Sequence, residues 1–255
     1  MNLDRVKAVI SGGASGLGHA TASRLVAGGG QVALLDVQDE AGRKAATALG
    51  PAASYHRCDV TSESAVDAAV QAAAARMGGL NVAVSCAGVA TPGKLLGKDG
   101  PLAAAAFQRV IDINLLGTFL LDRAAAAIMQ GNAPDADGER GLLVHTASVA
   151  AFEGQVGQVA YAASKSAVAG MVLPLARELA RFGIRVVGVA PGIFGTPMMA
   201  GLPQEAQDSL GKQVPFPPRL GRPEEYADLV AAIVVNRMLN GDTIRLDGAI
   251  RMAPR

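Results

Sequence analysis

The chain has 255 residues, of which 50% are hydrophobic and 18% charged, and its formal net charge is +1. This balance is typical of a globular protein and excludes a disordered chain, and the small net charge argues against binding to nucleic acid or to an acidic membrane. The two cysteines, Cys58 and Cys86, have neither metal-type nor disulfide-framework spacing. We therefore expect a cytoplasmic protein in a reducing compartment.

Short apolar runs alternate along the chain with alanine-rich stretches of helical periodicity. The runs predict strands at 6–11, 31–36, 54–58, 81–86, 142–146, 185–190 and 243–246, and the stretches between them predict helices at 17–28, 39–49, 62–77, 102–130, 157–182 and 223–235. Because the strand runs are apolar throughout, they are typical of parallel strands covered on both faces. The order predicts one domain over residues 1–255 with an α/β, Rossmann-type, doubly wound fold: a parallel sheet of about seven strands with helices on both faces.

Two stretches between these elements predict loops. One covers residues 132–141 and is rich in Asp and Gly, and the other covers 191–218 and contains six prolines. Long loops without regular structure are usually functional, so we expect residues 195–217 to form a lid over an active site. No run approaches the ~18 uninterrupted apolar residues of a membrane span, and because the first predicted strand begins at residue 6 we expect no signal peptide.

A glycine-rich segment follows the first predicted strand and opens a helix. In Gly12-Gly13-Ala14-Ser15-Gly16-Leu17-Gly18, Gly12 suits a tight turn, Gly16 lets the backbone approach a pyrophosphate, and Gly18 allows close packing of helix on strand. The helix N-terminus then presents free N–H groups to phosphates. A glycine cluster alone is also compatible with an ordinary turn.

Asp36 strengthens the dinucleotide interpretation, because it ends the second strand eighteen residues after Gly18. A carboxylate there can accept both hydroxyls of an adenosine ribose, although it could instead only cap the following helix. A 2′-phosphate about 4 Å away would be repelled by about 4 kcal/mol at an effective dielectric of ~20. No arginine adjoins Asp36 in sequence, so the expected cofactor is NAD rather than NADP.

Two further strand ends agree with this site, because ligands of such sheets bind at the carboxyl ends of the strands. Asp59 and Val60 follow the third strand, where a carboxylate can meet the adenine amino group. Cys86, Ala87 and Gly88 follow the fourth strand and leave space for a ribose.

Tyr161 and Lys165 are four residues apart in a predicted helix and therefore share one helical face. A phenol has an ordinary pKa near 10, and a neighbouring ammonium favours the phenolate and lowers that pKa. Ser148 ends the fifth strand and can hold a substrate oxygen without ionising. A Tyr/Lys pair on a helix is often only a half-buried aromatic beside a solvated charge, but the dinucleotide segment upstream favours an acid/base role.

With these residues in place, the whole chain resembles the short-chain dehydrogenase/reductase family. The matching pieces are Gly12-x-x-x-Gly16-x-Gly18, Cys86-Ala87-Gly88, Asn114, Ser148, Tyr161-x-x-x-Lys165 and Pro191-Gly192. Two positions depart from the family pattern: Ser11 stands where threonine is usual, and Ser85 replaces an asparagine that braces neighbouring strands. The first keeps the hydroxyl, and the second puts a hydrogen bond in doubt.

The resemblance implies a role for each matching residue. Tyr161 is the expected proton donor and acceptor, Lys165 its pKa tuner and a ligand of the nicotinamide ribose, Ser148 the group that orients the substrate carbonyl, and Asn114 the holder of a water in a proton relay. Gln155 is expected to contact substrate together with Ser148 and Tyr161. The expected NAD contacts are Gly12, Ser15, Gly16, Leu17, Gly18, Asp36, Asp59, Val60, Cys86, Ala87, Gly88, Tyr161, Lys165, Pro191, Gly192, Phe194 and Thr196.

Within the family, the segments 148–158, 191–198, 213–217 and 246–252 are similar to the branch that interconverts 3-hydroxyacyl-CoA and 3-oxoacyl-CoA. The resemblance implies an acyl-CoA thioester as substrate and a homotetramer with two-fold interfaces. Another secondary-alcohol or hydroxysteroid dehydrogenase remains an alternative, as does a non-catalytic NAD-binding scaffold. The three histidines are too scattered to predict a metal site, and no G-x-S-x-G segment surrounds Ser148 as a serine hydrolase of the α/β type requires.

Overall fold

A computed structural model describes residues 1–98, 100–200 and 204–254, except for the side chains of Met198, Ala200 and Ala206. Seven strands form one parallel sheet in the order β3-β2-β1-β4-β7-β8-β9. Their bounds are β1 Lys7–Ser11, β2 Gln31–Asp36, β3 Ala53–Arg57, β4 Val82–Ser85, β7 Gly141–Thr146, β8 Ile184–Pro191 and β9 Thr243–Leu246. The predicted seven-stranded parallel sheet is confirmed.

Helices cover both faces of the sheet, as predicted. The first face carries α1 Gly16–Ala27, α2 Asp39–Leu49 and α9 Pro223–Val235, and the second carries α3 Glu63–Met77, α4 Ala104–Ile111, α5 Gly117–Met129 and α6 Val159–Leu179. Each face has its own apolar core, because neighbouring residues of a buried strand point to opposite sides: Val144 packs with α1 and α9, and Leu143 packs with α5 and α6.

Two segments between the main elements contain regular structure, and the first of them was predicted as a loop. Within the proline-rich segment lie two short helices, α7 Pro197–Ala200 and α8 Gln204–Lys212, and residues 201–203 of the expected lid lie outside the described part of the chain. Pro197 is the first residue of α7, a position that tolerates proline because its N–H has no helical partner. The loop at 91–101 contains a small hairpin of β5 Leu96–Gly97 and β6 Gly100–Pro101.

The helix predicted at 102–130 is continuous but not uniform. A π-helical turn, Asp112–Leu116, joins α4 to α5 and places Asn114 at its centre. Such turns insert one residue into the α-helical register, and they occur frequently at functional sites. The apolar periodicity of the sequence does not reveal this turn.

By length and composition alone, the helical segments Ala104–Met129 and Val159–Phe182 are apolar enough to cross a membrane. The count of uninterrupted apolar residues in the sequence did not indicate this. Core helices of sheet proteins pass the same test, and both segments pack one face against the sheet. Their outward faces carry half-exposed apolar side chains, including Phe119 and Leu173.

Candidate active site

The glycine-rich segment between β1 and α1 forms a cradle at the carboxyl edge of the sheet. Gly12 has a φ of +65°, which glycine adopts without strain, and a Cβ on Gly18 would lie 2.3 Å from the carbonyl oxygen of Gly12. The predicted tight turn and close packing are therefore present. No acidic residue stands in the first turn of α1, and no side chain of Ser15 caps it, so the free N–H groups at this end suit a pyrophosphate.

Asp36 is buried at the end of β2, and both of its carboxylate oxygens have main-chain partners. Oδ2 accepts a hydrogen bond from Ala14 N at 3.1 Å, and Oδ1 accepts one from Gln38 N at 3.1 Å. The second contact is to the residue before α2 and not to a free N–H of that helix, so Asp36 does not have the helix-capping role that the sequence left open. The first joins the carboxylate to the glycine-rich cradle, and lone pairs remain on both oxygens for ribose hydroxyls.

An arginine lies closer to Asp36 than the sequence suggested. The register of β2 and β3 pairs Asp36 with Arg57, although the two are far apart in the chain. The guanidinium of Arg57 binds Asp39 instead, with an N–O distance of 2.7 Å, and Arg57 does not line the cleft described below. Its positive charge is therefore neutralised by a carboxylate outside the cofactor cradle.

The two departures from the family pattern are both accommodated by hydroxyl contacts. Ser85 Oγ donates to Val144 O on the neighbouring strand at 3.3 Å, so a brace between β4 and β7 is retained. Ser11 Oγ accepts a hydrogen bond from Ala87 N at 3.3 Å and ties the end of β1 to the segment after β4.

Ser148, Tyr161 and Lys165 converge beyond the end of β7. Ser148 Oγ accepts from Ala150 N at 3.1 Å, which fixes the hydroxyl at the start of a short 3₁₀ turn. Burial raises the pKa of Tyr161, and a hydrogen bond with Ser148 partly opposes that rise. The phenol therefore keeps its proton at neutral pH and has a hydroxyl neighbour in the place that the sequence predicted.

Lys165 lies on the same helical face as Tyr161, as the i, i+4 spacing predicted, and its ammonium is hydrogen-bonded at the end of β7. Its Nζ lies 5.8 Å from the centroid of the Tyr161 ring and donates to Thr146 O at 2.6 Å. Burial lowers the pKa of Lys165 to about 8. A main-chain carbonyl therefore holds the ammonium, and the predicted role of Lys165 in lowering the pKa of Tyr161 stays a prediction.

Asn114 lies behind the site and is fully buried. Its amide accepts from Val89 N at 2.8 Å and donates to Val89 O at 3.0 Å and to Ser164 Oγ at 3.0 Å. The side chain thereby fixes the segment after β4 against the helix that carries Tyr161. Its predicted role in a water relay stays a prediction.

One continuous cleft of ≈650 Å³ joins all these groups. Every residue predicted to bind cofactor or substrate lines it, as do Ser148, Tyr161 and Lys165, and Asn114 lies just behind Gly88. Gln155 lines the cleft too, but its amide is engaged: Nε2 donates to Ala253 O at 2.9 Å, and Oε1 accepts from Gln158 Nε2 at 3.2 Å. It forms a wall between the start of α6 and the C-terminal tail.

Sequence reasoning missed several residues of the cleft. Thr146, Leu210 and Met252 line it as well, from the end of β7, helix α8 and the C-terminal tail. Their positions depend on contacts between distant segments, which no local pattern records. Within the described residues, no group of three or more His, Cys, Asp or Glu side chains is placed to hold a metal ion.

The site can be compared with known proteins. The sequence profile of the short chain dehydrogenases matches residues 6–207. The chain belongs to the short-chain dehydrogenase family. It is accordingly an oxidoreductase, and the family's nicotinamide cofactor fits the cradle at α1.

Individual relatives span almost the whole chain. The 3-hydroxyacyl-CoA dehydrogenase type-2 of Bos taurus is 53% identical over 97% of this chain and 95% of its own length, and that of Drosophila melanogaster is 51% identical over 96% and 97%. Among solved structures, 3-hydroxyacyl-CoA dehydrogenase type-2 from Mycobacterium avium has a TM-score of 0.94 at 42% identity and covers 98% of this chain and 97% of that one.

Proposed function

We propose that this chain is an NAD-dependent dehydrogenase that interconverts 3-hydroxyacyl-CoA and 3-oxoacyl-CoA. The main support is the single cleft that leads from the Asp36 carboxylate, past the catalytic hydroxyls, to apolar side chains of the lid and tail. The relatives named 3-hydroxyacyl-CoA dehydrogenase type-2, at 51% to 53% identity over nearly the full chain, support the substrate class.

The preference for NAD over NADP is argued from charge. A 2′-phosphate at the ribose end of the cleft would meet the buried carboxylate of Asp36, while the nearby Arg57 is bound to Asp39. Like charges disfavour the phosphate, and the ribose hydroxyls of NAD are donors that suit the remaining lone pairs of Asp36. Residues around Gly12–Gly18 would hold the pyrophosphate, and Lys165 the nicotinamide ribose.

The chemistry of the protein side chains is proton transfer and orientation. When bound, NADH supplies the hydride that reduces the C3 carbonyl carbon of a 3-oxoacyl thioester. Ser148 holds the carbonyl oxygen by a hydrogen bond, and Tyr161 donates its phenol proton to that oxygen, so the product is the 3-hydroxyacyl thioester. Because burial raises the pKa of Tyr161, the phenol is in the protonated form that reduction requires. In the oxidation direction the phenolate form of Tyr161 takes the hydroxyl proton of the 3-hydroxyacyl thioester.

The acyl group would contact the apolar side chains of Met199, Leu210 and Met252, which line the cleft together with Val149. The catalytic groups contact only the carbinol of the substrate and cannot choose among secondary alcohols. Another alcohol or hydroxysteroid substrate is therefore the second candidate, and a relative at 34% identity is the ipsdienol dehydrogenase of Ips pini. A non-catalytic scaffold is disfavoured because Asn114 and the three groups of the site are all present.

We also propose a homotetramer with two-fold interfaces. The outward faces of α6, of α5 and of the π-helical turn before α5 carry half-exposed apolar side chains: Leu116, Phe119, Val159 and Leu173 are 38% to 46% exposed. Association of two such helix pairs would cover them, and the C-terminal segment 247–252 is the expected second interface. Sedimentation velocity at micromolar concentration tests this proposal, and a stable monomer would contradict it.

Turnover measured by NADH absorbance tests the proposed reaction. We expect acetoacetyl-CoA to be reduced with a kcat/KM far above that of the truncated thioester S-acetoacetyl-N-acetylcysteamine, because remote binding energy positions the reacting carbon. Equal values for the two thioesters would remove the coenzyme A part of the proposal. Absence of turnover with every carbonyl substrate tested would favour the scaffold alternative.

A further inference from the structure

A buried tyrosine on the opposite side of the sheet reaches the base of the catalytic site. Tyr226 belongs to α9, which packs with α1 on the first face, whereas Lys165 belongs to α6 on the second face. The side chain of Tyr226 is 0% exposed, yet its hydroxyl lies 2.7 Å from Thr146 Oγ1 and 3.8 Å from Cys86 Sγ. A buried hydroxyl is unfavourable unless it is hydrogen-bonded, so these contacts account for its place in an apolar core.

The three polar groups form a closed set of hydrogen bonds. Thr146 Oγ1 donates to Cys86 Sγ at 3.4 Å, which leaves its lone pairs free to accept from the Tyr226 hydroxyl. The Cys86 thiol can then donate to Tyr226, so each proton is used once. Burial raises the pKa of Cys86 and raises that of Tyr226 well above its ordinary value, and both groups therefore remain neutral donors.

Thr146 connects this set to the catalytic lysine. Its hydroxyl is bonded to Tyr226 from the first face of the sheet, and its carbonyl oxygen accepts Lys165 Nζ at 2.6 Å from the second face. Lys165 is 5% exposed, so its ammonium depends on a well-placed acceptor. Thr146 also ends β7, two residues before Ser148. A tilt of the Thr146 peptide would move both groups.

We propose that Tyr226 is a positioning residue of the dehydrogenase site. Its hydroxyl fixes the end of β7 through Thr146 and so sets the position of the Lys165 ammonium and the Ser148 hydroxyl. The inference rests on the proposed roles of Lys165 and Ser148 and not on the identity of the acyl substrate. It assigns a role in the reaction to a residue that touches neither cofactor nor substrate.

The test removes the hydroxyl and keeps the ring. In Tyr226→Phe we expect kcat to fall about 3- to 10-fold, the size of one neutral hydrogen bond, with the substrate KM little changed. NADH binding, followed by its fluorescence, should weaken about 3-fold, because Lys165 loses its fixed acceptor. Val230→Ala is the matched control: Val230 is a fully buried residue of α9 without a polar contact, so its loss should lower Tm and leave kcat unchanged.

A double-mutant cycle separates positioning from general destabilisation. Thr146→Val should lower kcat about as much as Tyr226→Phe does, and the double variant should lower it no more than either single variant. Thr146→Ser keeps the hydroxyl, so its kcat should lie close to that of wild type. Additive losses, or wild-type kcat and NADH affinity in Tyr226→Phe, would overturn the proposal. If the wild-type protein binds NADH but reduces no substrate, the proposed function fails, and the NADH titration of the same variants still decides the role of Tyr226.

Discussion

Replacing Asp36 by asparagine should relax the choice between NAD and NADP. At a separation of about 4 Å and an effective dielectric of ~20, the carboxylate repels a 2′-phosphate by about 4 kcal/mol. Because the cleft is open to solvent ions, we expect only part of this repulsion energy to act. The wild-type preference for NAD should then be at least ~10-fold in kcat/KM. Asp36→Asn removes the charge with little change in size, and the preference should narrow by at least ~10-fold.

The same substitution has a second, separable effect. An asparagine has one carbonyl oxygen, whereas Asp36 uses one oxygen for Ala14 N and the other for Gln38 N. One main-chain N–H therefore loses its acceptor, at a cost of about 1–3 kcal/mol in stability, and Tm should fall. This loss affects both cofactors alike, so it lowers kcat/KM without changing the ratio.

The assay is initial-rate kinetics with NADH and NADPH at fixed ionic strength. Glu40→Gln is the matched control, because Glu40 is an exposed carboxylate in the first turn of α2, shortly after Asp36 in the chain, and does not line the cleft. Its cofactor ratio should stay within about 2-fold of wild type, since solvent screens an exposed charge. Equal use of NADH and NADPH by the wild type, or an unchanged ratio in Asp36→Asn, would refute the electrostatic reasoning.

Three further predictions follow from the site and its surface. Tyr161→Phe removes the transferred proton and should lower kcat by ~10²-fold or more while NADH still binds by fluorescence titration; near wild-type turnover would assign the proton to another group. Lys165 has a pKa of about 8 in the folded protein against an ordinary 10.5, so its buried charge lowers the free energy of unfolding by about 3 kcal/mol below pH 8, and this loss disappears as the pH rises to 10.5. Lys165→Met should therefore raise the free energy of unfolding at pH 7, and its gain over wild type should shrink above pH 8. A gain that is the same at every pH would contradict the pKa shift. Phe119→Asp should shift sedimentation toward smaller species, whereas Leu96→Asp on the exposed hairpin should sediment like wild type. The same sedimentation coefficient for both variants would count against the helical interface.

The sequence predicted those parts of the fold that depend on local pattern. The apolar run at 31–36 matches β2 from end to end, and the helix at 39–49 matches α2. Prolines made the segment after Pro191 look structureless, yet Pro197 stands at the first position of α7, where proline favours a helix. The sequence did not predict the π-helical turn around Asn114, because no proline or glycine within Asp112–Leu116 interrupts the predicted helix.

The site was predictable wherever one segment carries its own chemistry, as in the glycine-rich cradle and the Tyr161–Lys165 helix. It was not predictable where function depends on the meeting of distant segments. Arg57 is beside Asp36 only through the register of β2 and β3, and Tyr226 reaches Thr146 only because α9 packs behind the sheet. The hydrogen bond from Lys165 to Thr146 O also joins distant segments, and no local pattern predicted it.

The central claim is that the cleft serves a 3-oxoacyl-CoA and NADH. The most direct measurement is kcat/KM of the purified protein, with NADH, for acetoacetyl-CoA beside an androgen-type ketosteroid and a plain ketone. We predict that acetoacetyl-CoA exceeds both by more than about tenfold, since only the thioester uses binding energy remote from the carbonyl. A tenfold advantage of the steroid or the plain ketone would contradict the acyl-CoA assignment and leave only the dehydrogenase class.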